Sequence, residues 1–485
     1  MLKLNKEEYL DKLHACWLGK NIGGTMGAPY EGSRELLDID GFKSPKGEPL
    51  PNDDLDLQLV WLNAVEQVGP KHMSANVLAE FWLDWICPHW NEYGVAKTNL
   101  RMGLLPPVSG EIDNEKWKNS NGAWIRSEIW AGLAPGAVDA AVRYAVMDAS
   151  VDHGLAEGTC AEIFTAALQS AAYFENDVRV LLETALAKIP EDSMIARTVR
   201  LVMECYDKGV DYRETRSRVV AFNKELGWFQ APGNLGFVTI GLLYGEGDFK
   251  RSLIYAINCA DDTDCTAATV GATLGIIGGT AAIPQELKSF VGDRIVTLSI
   301  NGMYGNMYIP KTCTELTERI AALVPAVMAA NGVEFCFTAE KSALDSAARK
   351  ALNCLTAKDF LNRSPYSYDI ADCRIFRVRV EMDRSPRIAP LEERQIRLTF
   401  YCNPEIQETR KLELRLLLPD GWSAAGFGRT LTLPYPQPVH GIYGVESMQF
   451  SVCAGETVDT VNRAYVEVTT HTHPVPVMIP LVFIG

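Results

Sequence analysis

With 485 residues, the chain is long enough for two or three domains of ordinary size. Its composition, 47% hydrophobic and 22% charged, is that of a globular protein and excludes a disordered, collagen-like or coiled-coil chain. A formal net charge of -15 provides no extended positive surface, so nucleic acid and anionic membranes are disfavoured as partners.

The cysteines and the N-terminal segment predict an intracellular protein. The 12 cysteines are scattered and form no CxxC pair, which is typical of reduced thiols and not of a disulfide framework. The opening segment MLKLNKEEYLDKL is charged throughout and lacks the apolar stretch of a signal peptide. We therefore expect a cytoplasmic protein.

Residues 5–335 are predicted to be helical, because apolar residues recur at three- and four-residue spacing between Gly, Pro and Asn breaks. The clearest predicted helices cover 55–68, 160–174, 178–188 and 316–330. Asn52 to Asp54 are expected to cap the first of these helices, and Gly332 lies just beyond the last. This part of the chain is predicted to be all-α.

The uncharged run 265–285 has about the length that spans a bilayer. Its residues are mainly Ala, Gly and Thr, and Gly271, Gly275 and Gly279 recur every four residues on one helical face. This spacing favours a helix that packs closely against another helix inside the protein.

From about residue 368 onward the apolar pattern has a period of two, which is typical of β-strands. Strands are predicted over 374–381, 394–401, 411–418, 448–453, 465–470 and 477–484. Short strands at this spacing indicate an antiparallel immunoglobulin-like sandwich. The predicted organisation is therefore multidomain: a large all-α domain over 1–338, a helical linker over 339–367 that ends within the passage SPYSYD, and a smaller all-β sandwich over 368–485.

Two acidic clusters precede predicted helices: Asn52-Asp53-Asp54, with Asp56 close by, and Asp261 to Asp264. Either cluster alone is explained by N-capping, because Asp and Asn accept hydrogen bonds from the free N–H groups of a helix start. Together, Asp53, Asp54, Asp262 and Asp264 would bring four negative charges, which match two divalent cations. Oxygen ligands of this kind favour Mg²⁺, Mn²⁺ or Ca²⁺ over Zn²⁺.

A glycine-rich turn is predicted over 19–32, with glycines at 19, 23, 24, 27 and 32. It contains neither GxxxxGK[ST] nor GxGxxG between a strand and a helix, so phosphate binding by that route is disfavoured and close packing is favoured. Glu31 ends the turn, where the chain leaves the helix and the carboxylate could point into a cleft.

Together these features resemble the ADP-ribosylglycohydrolase family over roughly residues 11 to 300. The family motif G-x-x-x-G-D-x-x-G-x-P-x-E is followed by Gly19 to Glu31, with Gly24 in place of the Asp. The T-D-D-T element corresponds to 52–55, and D-T-D-T-x-A-A corresponds to 262–268. A fourth motif, N-G-A-x-x-R, is present at 121–126.

The resemblance implies an all-α fold with a binuclear Mg²⁺ centre, or Mn²⁺, at the bottom of a cleft that receives an ADP-ribosyl group. Carried over position by position, the metal ligands are expected to be Asn52, Asp53, Asp54, Asp262, Asp264 and Cys265. Asn52 and Cys265 stand where the family usually places threonine hydroxyls. The Asn carbonyl oxygen remains a possible ligand, whereas a neutral thiol is a poor ligand for Mg²⁺.

Cleavage of a glycosidic bond at the anomeric ribose carbon develops positive charge on the sugar ring. Glu31 is the expected proton carrier, with the metal-bridging Asp54 or Asp264 as the competing assignment. The residues expected to line the cleft are Asn121, Arg126 and Asn234. Three aromatic residues are candidates for stacking on the substrate, although a core position is the commoner fate of such residues: Trp124, Trp228 and Phe229.

The predicted function is a metal-dependent glycohydrolase that acts on an ADP-ribosylated substrate or a related nucleoside, with the leaving group left open. The alternative is a non-catalytic member of the same family, either an ADP-ribose or nucleotide binding module or a crystallin-like structural protein. The β-domain is expected to serve interaction, including possible homo-oligomerisation, because its carboxylates are dispersed.

Overall fold

The computed structural model describes residues 1–44, 49–302, 307–354, 357–371, 374–403, 405, 408–471 and 473–485. The chain divides into two compact units. The helical unit comprises Met1–Lys97 and Asp113–Asn362, and the β unit comprises Thr98–Ile112 and Arg363–Gly485. Residues 339–362 therefore belong to the helical unit.

The helices follow the predicted pattern, and the expectations for 55–68, 160–174, 178–188 and 316–330 correspond to α2, α8, α9 and α16. The α-helices in the described part of the chain are α1 (Lys6–Gly27), α2 (Asp53–Val68), α3 (Ala75–Trp85), α4 (Asn91–Met102), α5 (Val108–Glu111), α6 (Glu128–Leu133), α7 (Val138–His153), α8 (Glu157–Ala172), α9 (Val178–Leu186), α10 (Met194–Asp207), α11 (Tyr212–Phe222), α12 (Ala231–Tyr244), α13 (Phe249–Asn258), α14 (Thr263–Gly278), α15 (Gln285–Val291), α16 (Cys313–Ala330), α17 (Ser346–Ala351) and α18 (Lys358–Leu361).

The helical unit is not purely α-helical. Two short strands, β1 (Leu2–Asn5) and β2 (Phe335–Thr338), pair in parallel and join the two ends of this part of the chain. The sequence prediction missed this pair because each strand has only four residues.

Helices α1 and α14 pack against each other along glycine-lined faces. A Cβ atom at Gly23 would lie 2.2 Å from the Ala267 carbonyl oxygen, and one at Gly271 would lie 2.3 Å from that of Gly19. Further along, Gly275 comes equally close to Ala15. The backbones approach this closely only because the facing residues lack side chains. The predicted close packing of the glycine run is thus confirmed.

The stretch 19–27 is helical, which corrects the expectation of a glycine-rich turn. It forms the last turns of α1, and the chain leaves the helix through a short 3₁₀ turn at Ala28–Tyr30. Glycine is a poor helix former in isolation, but tertiary packing against α14 outweighs that low propensity here. Within the described residues, none of the helices is long and apolar enough to cross a membrane.

The β unit contains two antiparallel sheets. Its strands are β3 (Ser367–Ile370), β4 (Phe376–Met382), β5 (Glu393–Cys402), β6 (Arg410–Leu417), β7 (Ser423–Ala425), β8 (Thr430–Leu433), β9 (Val445–Cys453), β10 (Val461–Thr470) and β11 (His473–Ile484). One sheet has the order β3-β4-β5-β9-β7 and the other β11-β10-β6-β8. The antiparallel β region is confirmed, whereas the immunoglobulin-like arrangement stays a prediction.

The two sheets share one hydrophobic core, and in strands such as β4 and β5 alternate residues face into it. Val378 on β4, Leu398 on β5 and Val466 on β10 are completely buried in it. Part of the passage SPYSYD, expected to be linker, forms strand β3 and pairs with β4. The segment 98–112 also enters this core through Leu104, Val108 and Ile112.

The cysteines agree with the expectation of free thiols. Eleven of them lie in the described part of the chain, and each is a free thiol. Cys373 lies outside the described residues.

Candidate metal centre

Three segments that are remote in sequence meet at one end of the α1–α14 pair. Because these helices run antiparallel, the end of α1 lies beside the start of α14, where the Thr263 hydroxyl donates to the Gly27 carbonyl oxygen at 2.9 Å. Beyond α1, the Asp261 N–H donates to the Ser33 carbonyl oxygen at 2.7 Å. The first turn of α2 brings Asp54 to the same place, 3.3 Å from the Cys265 thiol.

The carboxylates form two groups that share Asp264. In the first, which we call the all-oxygen group, ligand atoms of Glu31, Asp262 and Asp264 lie within 4.8 Å of one another. In the second, which we call the thiol group, ligand atoms of Asp54, Asp264 and Cys265 lie equally close. The structure thus brings together the two acidic clusters that the sequence places about 200 residues apart.

Crowding and burial raise the pKa of every carboxyl group at this centre. Burial, together with Asp264 and Asp53, raises the pKa of Glu31 to about 7. Burial and Asp264 raise the pKa of Asp53 to about 6. Burial is also the main reason that the pKa values of Asp54, Asp262 and Asp264 lie above the ordinary range. Charged carboxylates at these distances need a cation to compensate them.

The donor set fits divalent cations. Asp54 Oδ2 and Asp264 Oδ1 are buried, and neither accepts a hydrogen bond from the part of the chain that the structure describes, although the Lys20 ammonium lies 3.7 Å from Asp54 Oδ2. Buried acceptors without a partner are costly in a protein interior unless a cation or ordered water satisfies them. Carboxylate oxygens are the ligands that Mg²⁺ and Mn²⁺ prefer.

Asn52 and Gly24 form a matched pair at the edge of the centre. Asn52 is the N-cap of α2, and its Oδ1 accepts a hydrogen bond from the Asp54 N–H at 2.8 Å. A Cβ atom at Gly24 would lie 2.2 Å from Asn52 Nδ2. The space that the side chain of an Asp would take at position 24 is therefore filled by the amide of Asn52, so the two departures from the family motif belong together.

A buried lysine lies beside the centre and was missed by the sequence analysis. Lys20 Nζ donates to the Ile125 carbonyl oxygen at 2.7 Å and to Glu128 Oε1 at 3.1 Å, and it lies 3.7 Å from Asp54 Oδ2. Burial alone would lower the pKa of Lys20, but Glu128 and Asp54 outweigh it and raise the pKa above the ordinary value. The pattern contains a signal for this residue, because Lys20 lies four residues before Gly24 and therefore on the same face of α1.

Comparison with known proteins identifies the family. The family model for ADP-ribosylglycohydrolases matches residues 5–361. The chain belongs to the ADP-ribosylglycohydrolase family.

Individual relatives are distant. An uncharacterized protein of Archaeoglobus fulgidus is 24% identical over 310 residues, which are 59% of this chain and 92% of the relative. Among solved structures, an ADP-ribosylglycohydrolase-related protein complex has 21% identity and a TM-score of 0.40, covering 67% of this chain and 99% of that one. A FixG-related protein from Vibrio parahaemolyticus has 15% identity and a TM-score of 0.18, covering 22% and 94%.

Two of the residues expected to bind substrate hold the aspartates of the centre in place. Asn121 Nδ2 donates to Asp262 Oδ2 at 2.7 Å. Asn234 Nδ2 donates to Asp261 Oδ2 at 2.8 Å, and its Oδ1 accepts from the Asp262 N–H at 3.3 Å. The Phe229 N–H also donates a bifurcated hydrogen bond to the two carboxylate oxygens of Asp261. Both asparagines therefore orient the 261–262 turn.

Arg126 lies elsewhere in the helical unit. It is completely buried and pairs with Asp152 through both Nη atoms and with Asp148 through Nε. A side chain without solvent exposure and with its charge paired stabilises the core. This placement indicates a structural role for Arg126.

The three aromatic candidates divide between the core and a surface pocket. Trp124 is completely buried, and its Nε1 donates to Asn121 Oδ1 at 3.1 Å. Trp228 and Phe229 are half-buried and line a pocket of about 460 Å³ with Arg34, Lys116 and Trp117, among others. The pocket borders the centre through the Phe229 N–H and its bond to Asp261.

The remaining acidic residues of the first cluster have distinct partners. Asp53 Oδ2 accepts from the Tyr93 hydroxyl at 3.4 Å. Asp56 turns away from the centre, and its Oδ2 accepts from the N–H groups of Leu298 and Ser299, each at 2.6 Å. Asp56 therefore anchors the 298–299 segment.

Proposed function

We propose that this family member is a metal-dependent glycohydrolase that cleaves the N- or O-glycosidic bond at the anomeric ribose carbon of an ADP-ribosylated substrate or a related nucleoside. The observation that carries the proposal is the meeting of Glu31, Asp54, Asp262 and Asp264 within two donor groups that share one aspartate. A structural protein gains nothing from concentrated buried carboxylates, which destabilise a fold unless they are compensated.

The proposed centre is binuclear, with Mg²⁺ or Mn²⁺ as the ion that fits the all-oxygen group. Divalent cations bound there would hold ribose hydroxyls and lower the pKa of water. The residues that would hold them are Glu31, Asp262 and Asp264 on one side, and Asp54 with Asp264 on the other. Asp53 remains a candidate ligand, whereas Asn52 uses its Oδ1 to cap α2.

Glu31 is the proposed proton carrier. Its pKa of about 7 suits a group that accepts and releases a proton near neutral pH. It is also the solvent-exposed member of its group, so a substrate can reach it. The surrounding negative charge stabilises a sugar ring that becomes positive as the glycosidic bond breaks.

The adjoining pocket supports a substrate of the ADP-ribose class. Trp117, Trp228 and Phe229 offer aromatic faces on which a base can stack. Arg34 and Lys116 offer positive charge to phosphate groups, beside the negative charges of Glu115 and Glu225. Phe229 connects the pocket to Asp261, the residue before Asp262 of the centre, and the proposed ligand extends from one place to the other. For the β unit we retain the proposal of an immunoglobulin-like sandwich that serves assembly.

The proposal is tested by Glu31→Gln and Asp54→Ala, with release of ADP-ribose from ADP-ribosylated arginine measured with and without Mg²⁺. Each substitution is expected to lower turnover by roughly 10²-fold or more, because proton transfer and cation binding are lost. Glu35→Gln serves as the matched control, since Glu35 is also exposed and lies four residues further along the chain. Circular dichroism checks that each variant is folded.

Two results would contradict the proposal. A fully active Asp54→Ala protein would contradict the proposal that two cations bind at this centre. A wild-type protein that binds ADP-ribose but hydrolyses no nucleoside or ADP-ribose conjugate would favour the non-catalytic alternative.

A further inference from the structure

The two donor groups of the centre differ in chemistry. The all-oxygen group offers three carboxylates, whereas the thiol group offers two carboxylates and the sulfur of Cys265. Carboxylates select hard cations such as Mg²⁺, and thiolates select borderline and soft cations such as Zn²⁺. The same centre thus presents two unlike positions that share Asp264.

Cys265 is directed at the carboxylates and not at the apolar core. It lies in the first turn of α14, is 6% exposed, and its thiol donates to Asp54 Oδ1 at 3.3 Å. Ligands of one tetrahedral ion lie roughly 3.3–3.8 Å apart, since each bond is about 2.0–2.3 Å long. The sulfur and the Asp54 oxygen already have such a separation.

Two neighbours and the residue at position 265 itself make this position unfavourable for Mg²⁺. Asn52, which stands where the family has a threonine, directs its Oδ1 to the Asp54 N–H. No hydroxyl is present at residue 265 either. Lys20 Nζ lies 3.7 Å from Asp54 Oδ2 and adds a positive charge that opposes an ion held by electrostatics alone. A thiophilic ion forms a stronger bond to sulfur and depends less on net charge.

We propose that Cys265 is a thiolate ligand and that the thiol group binds a thiophilic divalent cation of the Zn²⁺ class, while the all-oxygen group binds Mg²⁺ or Mn²⁺. Binding forms a metal–sulfur bond in place of the S–H bond, and the proton leaves to solvent. This inference rests on the cation centre of the proposed function and specifies which ion occupies each side.

Cobalt absorption tests the inference on the intact chain without reference to activity. Metal-depleted protein is titrated with Co²⁺, and wild type is expected to develop the intense near-ultraviolet band of a sulfur–cobalt bond. Cys265→Ser is expected to lose that band. Cys160→Ser is the matched control. Cys160 is also a buried helical thiol, but the charged side chains near it, Glu157 and Asp192, belong to neither donor group of the centre. This control should keep the wild-type band.

A second variant keeps the test informative if Cys265→Ser does not fold. Cys265→Thr restores the hydroxyl that the family resemblance places here, and it is expected to let Mg²⁺ displace Co²⁺ at a concentration roughly 10- to 100-fold lower than in wild type. Absence of the band in wild type, or an equal band in folded Cys265→Ser, overturns the inference.

The outcomes separate the two proposals. Mg²⁺-dependent hydrolysis without a sulfur–cobalt band refutes the thiolate ligand alone. A band that depends on Cys265, in a protein that hydrolyses no ADP-ribose conjugate, refutes the proposed function alone.

Discussion

Glu31 differs from its neighbours in being both crowded by charge and open to solvent. Asp54, Asp262 and Asp264 are buried, whereas Glu31 is exposed. The residue is exposed as a whole, but its carboxyl group is partly shielded from solvent. This partial burial, together with the charges of Asp264 and Asp53, raises the pKa of Glu31 to about 7. A proton on Glu31 can therefore exchange with solvent, while the neighbouring carboxylates determine how tightly Glu31 holds that proton.

The metal-depleted protein is expected to lose stability as pH rises from about 4 to about 7. The folded state retains protons on Glu31 and Asp53 up to pKa values of about 7 and about 6, whereas the unfolded chain releases them near 4.5 and 3.8. The unfolded state thus binds fewer protons across this window, and the free energy of unfolding falls with pH. Added Mn²⁺ should remove the decline, because it stabilises the ionised carboxylates.

Thermal unfolding between pH 4.5 and 7.5, with and without Mn²⁺, measures this decline. Glu31→Gln should flatten part of it, because one titrating group is gone, and Glu35→Gln should retain the wild-type slope. A decline that neither Mn²⁺ nor Glu31→Gln changes would contradict the assignment of the raised pKa to this centre.

At the scale of elements, the α1–α14 contact determines where the carboxylates lie. Glu31 follows the end of α1 and Asp264 lies in the first turn of α14, so their separation depends on how closely the helices pack. Gly23 and Ala267 lie at a point of direct backbone contact between them. A change in helix spacing would alter the centre.

Gly23→Ala is expected to destabilise the protein by about 1–3 kcal/mol, because the new methyl group would lie 2.2 Å from the Ala267 carbonyl oxygen and force the helices apart. Denaturant unfolding measures this loss, and weaker Mn²⁺ binding should accompany it. Gly233→Ala in α12 is the matched control, since no atom lies within 4 Å of its added Cβ. That control should stabilise the helix by about 0.5–1 kcal/mol. Equal effects of the two substitutions would contradict the packing argument.

Local pattern placed four of the helices and six of the strands individually, and it missed elements that depend on partners. The alternation in β5 was sufficient, because one face of that strand is buried. Helix α2 is buried on every side from Asp54 to Val65, and its length and the capping residue Asn52 indicated a helix. The glycine-rich end of α1 was expected to be a turn, since nothing local favours a helix there and its stability comes from tertiary packing, chiefly against α14. Strands β7 and β8, with three and four residues, are too short for a period to appear.

The carboxylates of the centre were predictable from the sequence, whereas the buried lysine beside them was not. Asp54 and Asp264 stand in ordered motifs, so the family resemblance identified them. Lys20 occupies a motif position that any residue can take, and its contact with Asp54 depends on the folded arrangement of α1 and α2. The structural role of Arg126 likewise depends on Asp148 and Asp152, which no motif marks.

At the scale of the whole molecule, the chain passes between its two units more than once. It leaves the helical unit at residue 98, returns at 113 and leaves again at 363. The excursion places Leu104, Val108 and Ile112 in the hydrophobic core of the β unit. The sequence analysis expected one boundary region, because a short excursion of this kind has no distinctive composition.

A fragment that ends at residue 362 is expected to aggregate, because Leu104, Val108 and Ile112 lose the core that buries them. Burial of one such side chain contributes about 1.5–3 kcal/mol, so their joint exposure is costly. Sedimentation of the fragment measures its association. Replacing the three residues with Ser should make the fragment more soluble, whereas the same triple change should destabilise the full chain. A fragment that stays monomeric without these replacements would contradict the expectation.

The pairing of α1 with α14 also has a consequence for biosynthesis. Gly27 and Thr263, which bond to each other, are 236 residues apart in the chain. At about 5–20 residues per second, the ribosome would complete the first helix roughly 10–50 s before its partner emerges. During that interval the glycine face of α1 lacks the helix that packs against it, so this face is expected to reach its native packing late in synthesis.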